Sequence, residues 1–513
     1  MTRRGSDFDL IVIGSGSGLD VANAAAERGL RVALIEKKSM GGTCLNNGCI
    51  PSKLLIHSAD LIESIRQSEK FGIVIDEKIS IDFEKIVNRV IGIVDSESEE
   101  IQKAYSKVNN PRMFHSECKF VGTKILELKA AAKDLPDERI KKGNKLRSGN
   151  RDISVIRISA PKVLIASGSR PRIPKIKGLD KSGFITSDEA LRLKRQPVTL
   201  TIIGGGYICC ELAHFFGSLG TKINIIQLRD KLIPAEDEDI SQRLTDLFVK
   251  KYEVHLGYAP ESVSKHKSNE VHVSNKIARN GGNTFTETYT VTAKNKQSGK
   301  TIAIESDELL VAVGRIPNSD VLDLDKTGIK LDCRGYIVTD EYLQTNVEGI
   351  YSLGDVVGRY PFKHSANLEA RYVIHNIIQQ QDMVPVDYAA IPHAIFTSPQ
   401  IAAVGVTEQF LKRRGKKENK DYLKSIYPFI NTGMGLAIED HDGFIKILVD
   451  KDSRKILGCH IIGTDAPVLI HEVVVAMKTF DSKGEMGTID NITRAVHVHP
   501  ALSEVVARAA SQI

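Results

Sequence analysis

The stretch FDLIVIGSGSG, residues 8–18, indicates how the chain begins to fold. Its apolar, mostly β-branched run up to Ile13 is typical of a buried strand. Three glycines follow at alternate positions: Gly14, Gly16 and Gly18. Glycines let a backbone approach a pyrophosphate, and the N-terminus of a following helix offers free N–H groups to its charge. The stretch therefore predicts the start of a βαβ unit that binds a dinucleotide.

The residues after this turn complete the unit. The helical pattern VANAAAERG ends at Gly29, and the next apolar strand, RVALIE, ends in Glu36. An acid at that position accepts hydrogen bonds from a ribose in dinucleotide sites. The usual third glycine of the turn is either displaced to Gly18 or replaced by Leu19, so we expect an altered contact between helix and strand.

A second stretch, VTLTIIGGGYI at residues 198–208, follows the same plan. Gly204 and Gly206 open the turn, and the strand after the predicted helix ends at Gln227. An acid at this position would favour NAD, whereas Gln227 followed by Arg229 favours NADP, because an arginine attracts a 2′-phosphate. The repeat predicts two dinucleotide sites, and these two residues favour NADPH at the second.

Length and composition limit the class of protein. A chain of 513 residues is too long for one core, so we expect several domains. Apolar residues make up 42% of the chain and charged residues 26%, as in globular proteins. The chain contains no apolar run long enough for a membrane span, and its start lacks the features of a signal peptide. We therefore expect a cytoplasmic protein that does not enter a membrane.

The positive charge of the chain is spread thinly. The net charge is +6, and the densest clusters lie in two polar stretches, 129–152 and 265–300. No nucleic-acid-binding motif accompanies these clusters. We interpret both stretches as surface loops or hairpins and expect no nucleic-acid partner.

Two cysteines lie five positions apart in GGTCLNNGCIPSK, residues 41–53. A metal site would need further ligands close to Cys44 and Cys49, and His57 alone does not supply them. The seven cysteines of the chain are an odd number in a sequence without a secretion signal, which argues against a structural disulfide framework. Two inert thiols remain an alternative, but the predicted helix start favours thiolate and hence a redox disulfide.

Five motifs, in this order, resemble those of the flavin-dependent pyridine nucleotide disulfide oxidoreductases. They are the first βαβ unit, GGTCLNNGCIPSK, the unit that begins GGGYI, TNVEGIYSLGD at 345–355 and HVHPALSE at 497–504. The resemblance, which extends from about residue 8 to 510, implies an α/β chain with two Rossmann-like domains, for FAD and NAD(P), and a C-terminal α+β dimerisation domain. The implied limits are 1–193 for the FAD domain with its redox disulfide, 194–315 for the NAD(P) domain, 316–387 for a central part that completes the FAD domain, and 388–513 for the dimerisation domain.

The resemblance also implies roles for individual residues. Cys44 would exchange with the substrate and Cys49 would face the flavin. His499, oriented by Glu504, would be the acid–base of thiol exchange, whereas His497 would be structural. Lys53 would lie near the flavin and pair with Glu211. The residues expected at the two cofactors are Gly14, Gly16, Gly18, Glu36, Gly42, Thr43, Lys53, Ser167, Gly168, Gly204, Gly206, Tyr207, Gln227, Arg229, Gly314 and Asp355.

The substrate stays open within the family. Asn23 and Ala24 stand where glutathione reductases carry arginines, and the end ARAASQI lacks the cysteines of mercuric reductases. We favour dihydrolipoamide dehydrogenase activity, with an NADPH-dependent reductase of a small thiol disulfide, similar to mycothione reductase, as the alternative. A second alternative is a binding or electron-delivery module with a vestigial disulfide. The resemblance implies a homodimer in which His499 reaches the other subunit's disulfide, and the dithiol is either a small molecule or a lipoyl domain.

Overall fold

The computed structural model describes residues 6–75, 79–131, 145–148, 151–268, 286–379 and 382–513. The chain forms two compact units. The first unit comprises Met1–Pro51, Arg89–Arg172 and Arg315–Asp387. The second comprises Ser52–Asn88, Ile173–Gly314 and Tyr388–Ile513. Because these units combine segments from several of the predicted domains, the domain limits given above stay a prediction.

Helices connect several of the strands within the described residues. The described residues form α-helices at Gly18–Glu27, Gly42–Asn47, Cys49–Gln67, Phe83–Ser106, Ser187–Ala190, Tyr207–Ser218, Glu238–Lys251, Lys363–Val373, Glu408–Arg413, Gly433–Ala437, Ala466–Met477, Asp490–Thr493 and Glu504–Ala510. Among these described helices, none combines the length and the apolar character that crossing a bilayer requires.

The first unit is built on a five-stranded parallel sheet. Its strands, in spatial order, are Ile350–Ser352, Lys162–Ile165, Leu10–Ile13, Val32–Glu36 and Arg112–His115. Every residue of the central strand Leu10–Ile13 is buried, as its continuous apolar sequence predicts. Helix Gly18–Glu27 joins this strand to Val32–Glu36 and buries its small apolar face on the sheet. The first predicted βαβ unit is therefore present.

Close packing at Gly18 explains the shortened turn. The helix begins at Gly18, where a Cβ atom would lie 2.9 Å from Val12 Cγ1 and 3.1 Å from Ala166 Cβ. Both distances are tighter than normal contacts, so only glycine allows the helix to approach the strand this closely. Of the two alternatives for the third glycine, the close approach at Gly18 supports displacement to this position.

A small antiparallel sheet and a short ladder complete the first unit. The sheet strands, in spatial order, are Cys118–Gly122, Ile125–Ala131, Arg151–Ser159 and Lys145–Ser148. Ser169–Pro171 pairs antiparallel with Arg315–Pro317. The described part of the first polar stretch thus belongs to paired strands, and its residues 132–144 and 149–150 lie outside the described residues.

The second unit contains a four-stranded parallel sheet. Its spatial order is Glu253–Leu256, Lys222–Gln227, Thr199–Ile203 and Glu308–Val311. The almost wholly buried helix Tyr207–Ser218 joins the two central strands, as the second glycine stretch predicts. An antiparallel sheet of Tyr258–Ser268, Thr286–Asn295 and Thr301–Ser306 follows. It holds the described part of the second polar stretch, whose residues 269–285 lie outside the described residues.

The C-terminal part of the second unit is an antiparallel sheet covered by helices. The strands, in spatial order, are Pro392–Ile395, Ile401–Gly405, Ile456–Ile462, Phe444–Asp450 and Tyr422–Pro428. Helices Ala466–Met477 and Glu504–Ala510 bury their apolar residues against it in one core. Two parallel sheets with glycine turns and a C-terminal α+β part confirm the predicted fold class.

Candidate active site

The first glycine turn is closed by the acid of the next strand. Gly14 has a φ of +103°, and a Cβ atom there would lie 2.3 Å from the carbonyl oxygen of Ala166. Ser15 donates from its backbone N–H and its hydroxyl to Oε2 of Glu36, over 3.0 and 2.8 Å. Oε1 of the same carboxylate accepts from the N–H of Lys38 at 2.9 Å. The predicted acid is thus held at the mouth of the turn.

The turn packs directly against the start of the cysteine-bearing helix. A Cβ atom on Gly42 would lie 2.8 Å from Cα of Gly16, which leaves room for nothing but glycine. The N–H of Gly41 also donates to the hydroxyl of Ser15 at 3.1 Å. Thr43 and Cys44 follow in helix Gly42–Asn47. The first glycine turn and the first cysteine therefore form one local assembly.

The two cysteines interact with each other as thiols. Cys44 is half-buried and Cys49, the first residue of helix Cys49–Gln67, is exposed. The chain turns at Gly48, where a Cβ atom would lie 2.9 Å from the carbonyl oxygen of Thr43. A hydrogen bond with Cys49, together with burial, raises the pKa of the Cys44 thiol. Cys44 therefore holds its proton more tightly than a free thiol does.

Lys363 is a cation near the dithiol that sequence reasoning missed. It is the first residue of helix Lys363–Val373, and its Nζ donates to Oγ of Ser17 at 2.9 Å and to Oδ1 of Asn367 at 2.7 Å. Its positive charge lowers the pKa of Cys44, against the larger effect of Cys49. Lys363 lies eight residues after Asp355 and belongs to no recognisable motif. Its position near Cys44 is therefore visible only in the structure.

A third segment of the first unit lies beside the glycine turn. The hydroxyl of Ser167 is buried and has no hydrogen-bond partner among the described residues. Asn318 fixes the backbone there, because its Nδ2 donates to the carbonyl of Ser167 at 2.8 Å and its N–H to that of Gly168 at 3.0 Å. Ser169 Oγ donates to Oδ2 of Asp355 at 2.6 Å.

These features of the first unit fit FAD. The turn accommodates a pyrophosphate, Glu36 can accept from a ribose, and the unpartnered Ser167 hydroxyl requires a polar ligand. Ser169 donates to Oδ2 of Asp355, so Oδ1 would bind the ribityl chain of FAD, as the resemblance implies. The assignments of these residues, with Gly14, Gly16, Gly18, Gly42, Thr43 and Gly168, remain predictions.

The second glycine turn repeats the backbone of the first. Gly204 has a φ of +128°, and a Cβ atom there would lie 2.3 Å from the carbonyl oxygen of Ala312. Gly206 precedes the helix, and Tyr207, its first residue, is 43% exposed. Gly314 follows strand Glu308–Val311 with a φ of +107°. The predicted residues of the second cofactor site thus surround one edge of the parallel sheet.

Gln227 points into this turn and away from solvent. It is buried at the end of its strand, and its Nε2 donates to the carbonyl of Lys231 at 3.1 Å. A Cβ atom on Gly205 would lie 2.5 Å from the same nitrogen. Arg229, two residues on, is exposed. The site therefore has a neutral amide and a nearby cation where an NAD-preferring site has an acid.

Lys53 and Glu211, which are 158 residues apart in sequence, form an ion pair in the second unit. Nζ of Lys53 donates to both carboxylate oxygens of Glu211, over 3.0 and 2.9 Å. The carboxylate is buried and also accepts from the N–H of Phe396 at 2.9 Å. The Phe396 ring lies 4.5 Å from the lysine nitrogen. The predicted pair is thus brought together and its lysine held in one orientation.

His499 and Glu504 form the second predicted pair. Nδ1 of His499 lies 3.1 Å from each oxygen of Glu504, and the hydrogen bond with His499 lowers the pKa of that carboxyl. The imidazole is 74% exposed. His497, in contrast, is largely buried against Glu472. Of these two histidines, His499 therefore presents its Nε2 to solvent.

Comparison with known proteins agrees with this arrangement. Residues 8–370 match the family described as pyridine nucleotide-disulphide oxidoreductase, and residues 391–510 match the dimerisation domain of the same family. The chain is 31% identical over 511 residues to dihydrolipoyl dehydrogenase of Bacillus subtilis (strain 168), covering 98% of both chains. It is also 31% identical over 510 residues to mycothione reductase of Mycobacterium tuberculosis, again covering 98% of both.

One solved structure has a similar fold. It is the Cu(II) complex of the HOCl-induced flavoprotein disulfide reductase RclA from Escherichia coli, with a TM-score of 0.78 and 24% sequence identity. The similarity covers 99% of both chains. At 24% identity this similarity supports the fold alone.

Proposed function

Because the chain belongs to the pyridine nucleotide-disulphide oxidoreductase family, whose cofactors are FAD and NAD(P)H, we propose that it is a dihydrolipoamide dehydrogenase. The chain would oxidise the dithiol of dihydrolipoamide to its cyclic disulfide and deliver two electrons to NAD or NADP. The observation that carries this proposal is the hydrogen-bonded pair Cys44 and Cys49, built directly onto the first glycine turn. FAD, when bound, supplies the two-electron carrier between dithiol and nicotinamide.

The two cysteines divide the exchange reaction between them. A substrate thiolate attacks the Cys44 sulfur of the disulfide, and Cys49 leaves as thiolate. The second substrate thiol then attacks the substrate sulfur of the mixed disulfide and releases Cys44. The raised pKa of Cys44 means that this leaving sulfur takes up a proton. The substrate has then lost two electrons and the cysteine pair has gained them.

His499 would move the protons of this exchange. Its Nε2 takes a proton from the attacking substrate thiol and returns it to the Cys44 sulfur, while Glu504 holds Nδ1–H and fixes the tautomer. The exposure of the imidazole on the dimerisation domain fits a role at the disulfide of a second copy of the chain. We therefore propose a homodimer as the active form. A cytoplasmic location stays a prediction.

A second candidate reverses the direction of the same chemistry. An NADPH-dependent reductase would use Cys44 to reduce the disulfide of a small thiol. The buried Gln227 and the exposed Arg229 favour it, because neither repels the 2′-phosphate of NADPH. The sequence identity to mycothione reductase of Mycobacterium tuberculosis equals that to dihydrolipoyl dehydrogenase of Bacillus subtilis, at 31%. Substrate and preferred nicotinamide together decide between the two candidates.

Spectra of the reduced enzyme test the dithiol. In the FAD-loaded wild type, two-electron reduction should produce a long-wavelength charge-transfer band from the Cys49 thiolate. Cys49→Ser should abolish the band, whereas Cys44→Ser should retain it and lose turnover with a disulfide. Cys333→Ser, at an exposed cysteine, is the matched control and should change neither. A reduced wild type with bleached flavin alone would mean a vestigial disulfide, and loss of the band in Cys44→Ser would mean exchanged roles.

Turnover of a histidine variant tests the proton transfer. His499→Ala should reduce the rate with dihydrolipoamide roughly 100-fold or more, the usual scale of acid–base catalysis. His497→Gln, which removes a histidine held by Glu472, is the control and should lose far less. An unchanged rate in His499→Ala would exclude this residue from the mechanism.

A further inference from the structure

The loop after strand Lys222–Gln227 packs on the second glycine turn. It spans residues 228–237, and the N–H of Ile233 donates to the carbonyl oxygen of Gly205 at 2.6 Å. Ile233 has a φ of +42°, which β-branched residues rarely adopt. A backbone of this kind persists only where surrounding structure holds it. The contacts at the other end of the loop therefore matter for the shape of the turn.

The C-terminal part of the same unit holds that other end. Nε2 of His393 lies 2.9 and 2.8 Å from the two oxygens of Glu236, whose own carbonyl accepts from Nε2 of Gln409 at 2.7 Å. The next residue, Asp237, is fully buried and accepts from Nζ of Lys446 at 2.8 Å. Two adjacent acids thus fasten the loop through a histidine and a lysine.

The strand that carries His393 also holds the Lys53 site. Strand Pro392–Ile395 is followed at once by Phe396, whose N–H donates to Glu211 at 2.9 Å. Glu211 pairs with Lys53, and the Phe396 ring lies against the lysine nitrogen. A single short segment therefore positions both the loop at the glycine turn and the ion pair expected at the flavin.

His393 is the group of this cluster that changes charge near neutral pH. Burial lowers its pKa, but the hydrogen bond and the charge of Glu236 outweigh burial, and the pKa is raised overall. Lys446 stays charged, because Asp237 and its other carboxylate partners raise its pKa in spite of burial. His460 stays neutral, because burial lowers its pKa.

Other titratable and charged groups lie on the elements that pack around His393. Strand Ile401–Gly405 beside it contains no charged residue. Helix Ala466–Met477, which packs on the strand, contributes His471, which is exposed, and Glu472, which pairs with His497. In the loop itself Lys231 pairs with Glu238. Glu236 is the charged group whose hydrogen bond and charge raise the pKa of His393.

Resting on the proposed function, we propose that His393 is a positioning residue for the nicotinamide dinucleotide. Its ion pair with Glu236 keeps loop 228–237 seated on Gly205, so that the second glycine turn is preformed for the pyrophosphate. Protonation of His393 tightens dinucleotide binding. Because its pKa is raised in the folded chain, this contribution is complete below the ordinary pKa of histidine and is lost as the pH rises through the raised value.

Calorimetric titration of the FAD-loaded protein with oxidised NAD and NADP tests this role without turnover. Titrations from about pH 6 to about pH 9 span the range in which histidine changes charge. We expect the wild type to bind the dinucleotide about five-fold more weakly at the high end, the scale of one partly exposed ion pair. His393→Gln should bind at that weaker level throughout. His393→Lys should retain the tighter binding to higher pH and so rescue the effect.

A double-variant comparison separates the ion pair from general damage. Glu236→Gln should match His393→Gln, and the variant that carries both should bind no more weakly than either, because they remove one interaction. His441→Gln, at an exposed histidine of the same unit, should keep the wild-type profile. An unchanged pH profile in His393→Gln, or independent losses that add in the double variant, would overturn the inference.

The result also distinguishes this inference from the proposed function. A flavin-loaded wild type that binds neither NAD nor NADP at any pH would refute the proposed function and the inference together. A wild type that binds one of them with an affinity independent of pH would refute the role of His393 alone.

Discussion

The two glycine turns of the chain share the same backbone conformation and the same close packing at their first glycine. In each turn the first glycine has a positive φ. A Cβ atom on that glycine would lie 2.3 Å from the carbonyl oxygen of the residue that ends a neighbouring strand. The carbonyl belongs to Ala166 in the first turn and to Ala312 in the second. No side chain fits at Gly14 or Gly204, so this part of the plan is fixed by sterics.

The turns differ in the side chain that closes them. In the first, Glu36 accepts two hydrogen bonds from Ser15, which hold its carboxylate at the turn. In the second, the amide of Gln227 is buried against Gly205 and donates to the carbonyl of Lys231. We therefore propose that the backbone of each turn recognises a dinucleotide in general, and that the residue at the strand end distinguishes one dinucleotide from another.

The largest effect should come from a methyl group in either turn. Gly204→Ala should retain FAD and weaken NAD(P)H binding roughly 100-fold or more, because the Cβ atom meets a backbone oxygen and the φ is unfavourable. Gly14→Ala should instead yield protein without flavin. Flavin content of the purified variants and calorimetric titration with NADP would measure both. Normal flavin content in Gly14→Ala would mean that the first turn is not the FAD site.

A smaller effect should follow from neutralising the first acid. Glu36→Gln keeps the size of the side chain but replaces one acceptor oxygen with an NH2 donor. In either orientation of the amide, this donor faces another donor, either at Ser15 or at the ribose. We expect affinity for FAD to fall about ten-fold, the value of a charge-assisted hydrogen bond. Titration of apoprotein with FAD, followed by flavin fluorescence, would measure this. Glu27→Gln, at an exposed acid of the adjacent helix, should leave the affinity unchanged.

The smallest effect should come from making the second turn resemble the first. In Gln227→Glu the carboxylate can no longer donate to Lys231, and it can accept from a ribose and repel a 2′-phosphate. We expect the ratio of kcat/KM for NADH over NADPH to rise about five-fold. Arg229→Ala should move the ratio in the same direction by weakening NADPH alone. If neither variant moves the ratio, the nicotinamide is selected elsewhere.

Much of this arrangement could be predicted from local sequence. The first and second βαβ units follow from apolar runs, glycines and strand-end residues that lie close together in the chain. His499 and Glu504 are five residues apart, so their pairing is also a local property. Lys53 and Glu211 are 158 residues apart, and only the family resemblance predicts their pairing.

Other features depend on packing that no local pattern encodes. Gln227 could be identified as the residue at the strand end, but its burial against Gly205 depends on the loop that follows. His393 and Glu236 are separated by 157 residues and belong to no motif, so their ion pair emerges only from the folded chain. The charge of Lys363 lowers the pKa of Cys44, and this proximity likewise emerges only from the folded chain.

The most direct test of the proposed activity is oxidation of free dihydrolipoamide by the purified, FAD-loaded protein, with NAD in one cell and NADP in a parallel one. The account predicts rapid formation of reduced nicotinamide in at least one cell, and loss of this activity in Cys44→Ser. A negligible rate with both cofactors, in a protein whose flavin NADPH still reduces, would contradict dihydrolipoamide dehydrogenase activity and favour a reductase of a small thiol disulfide.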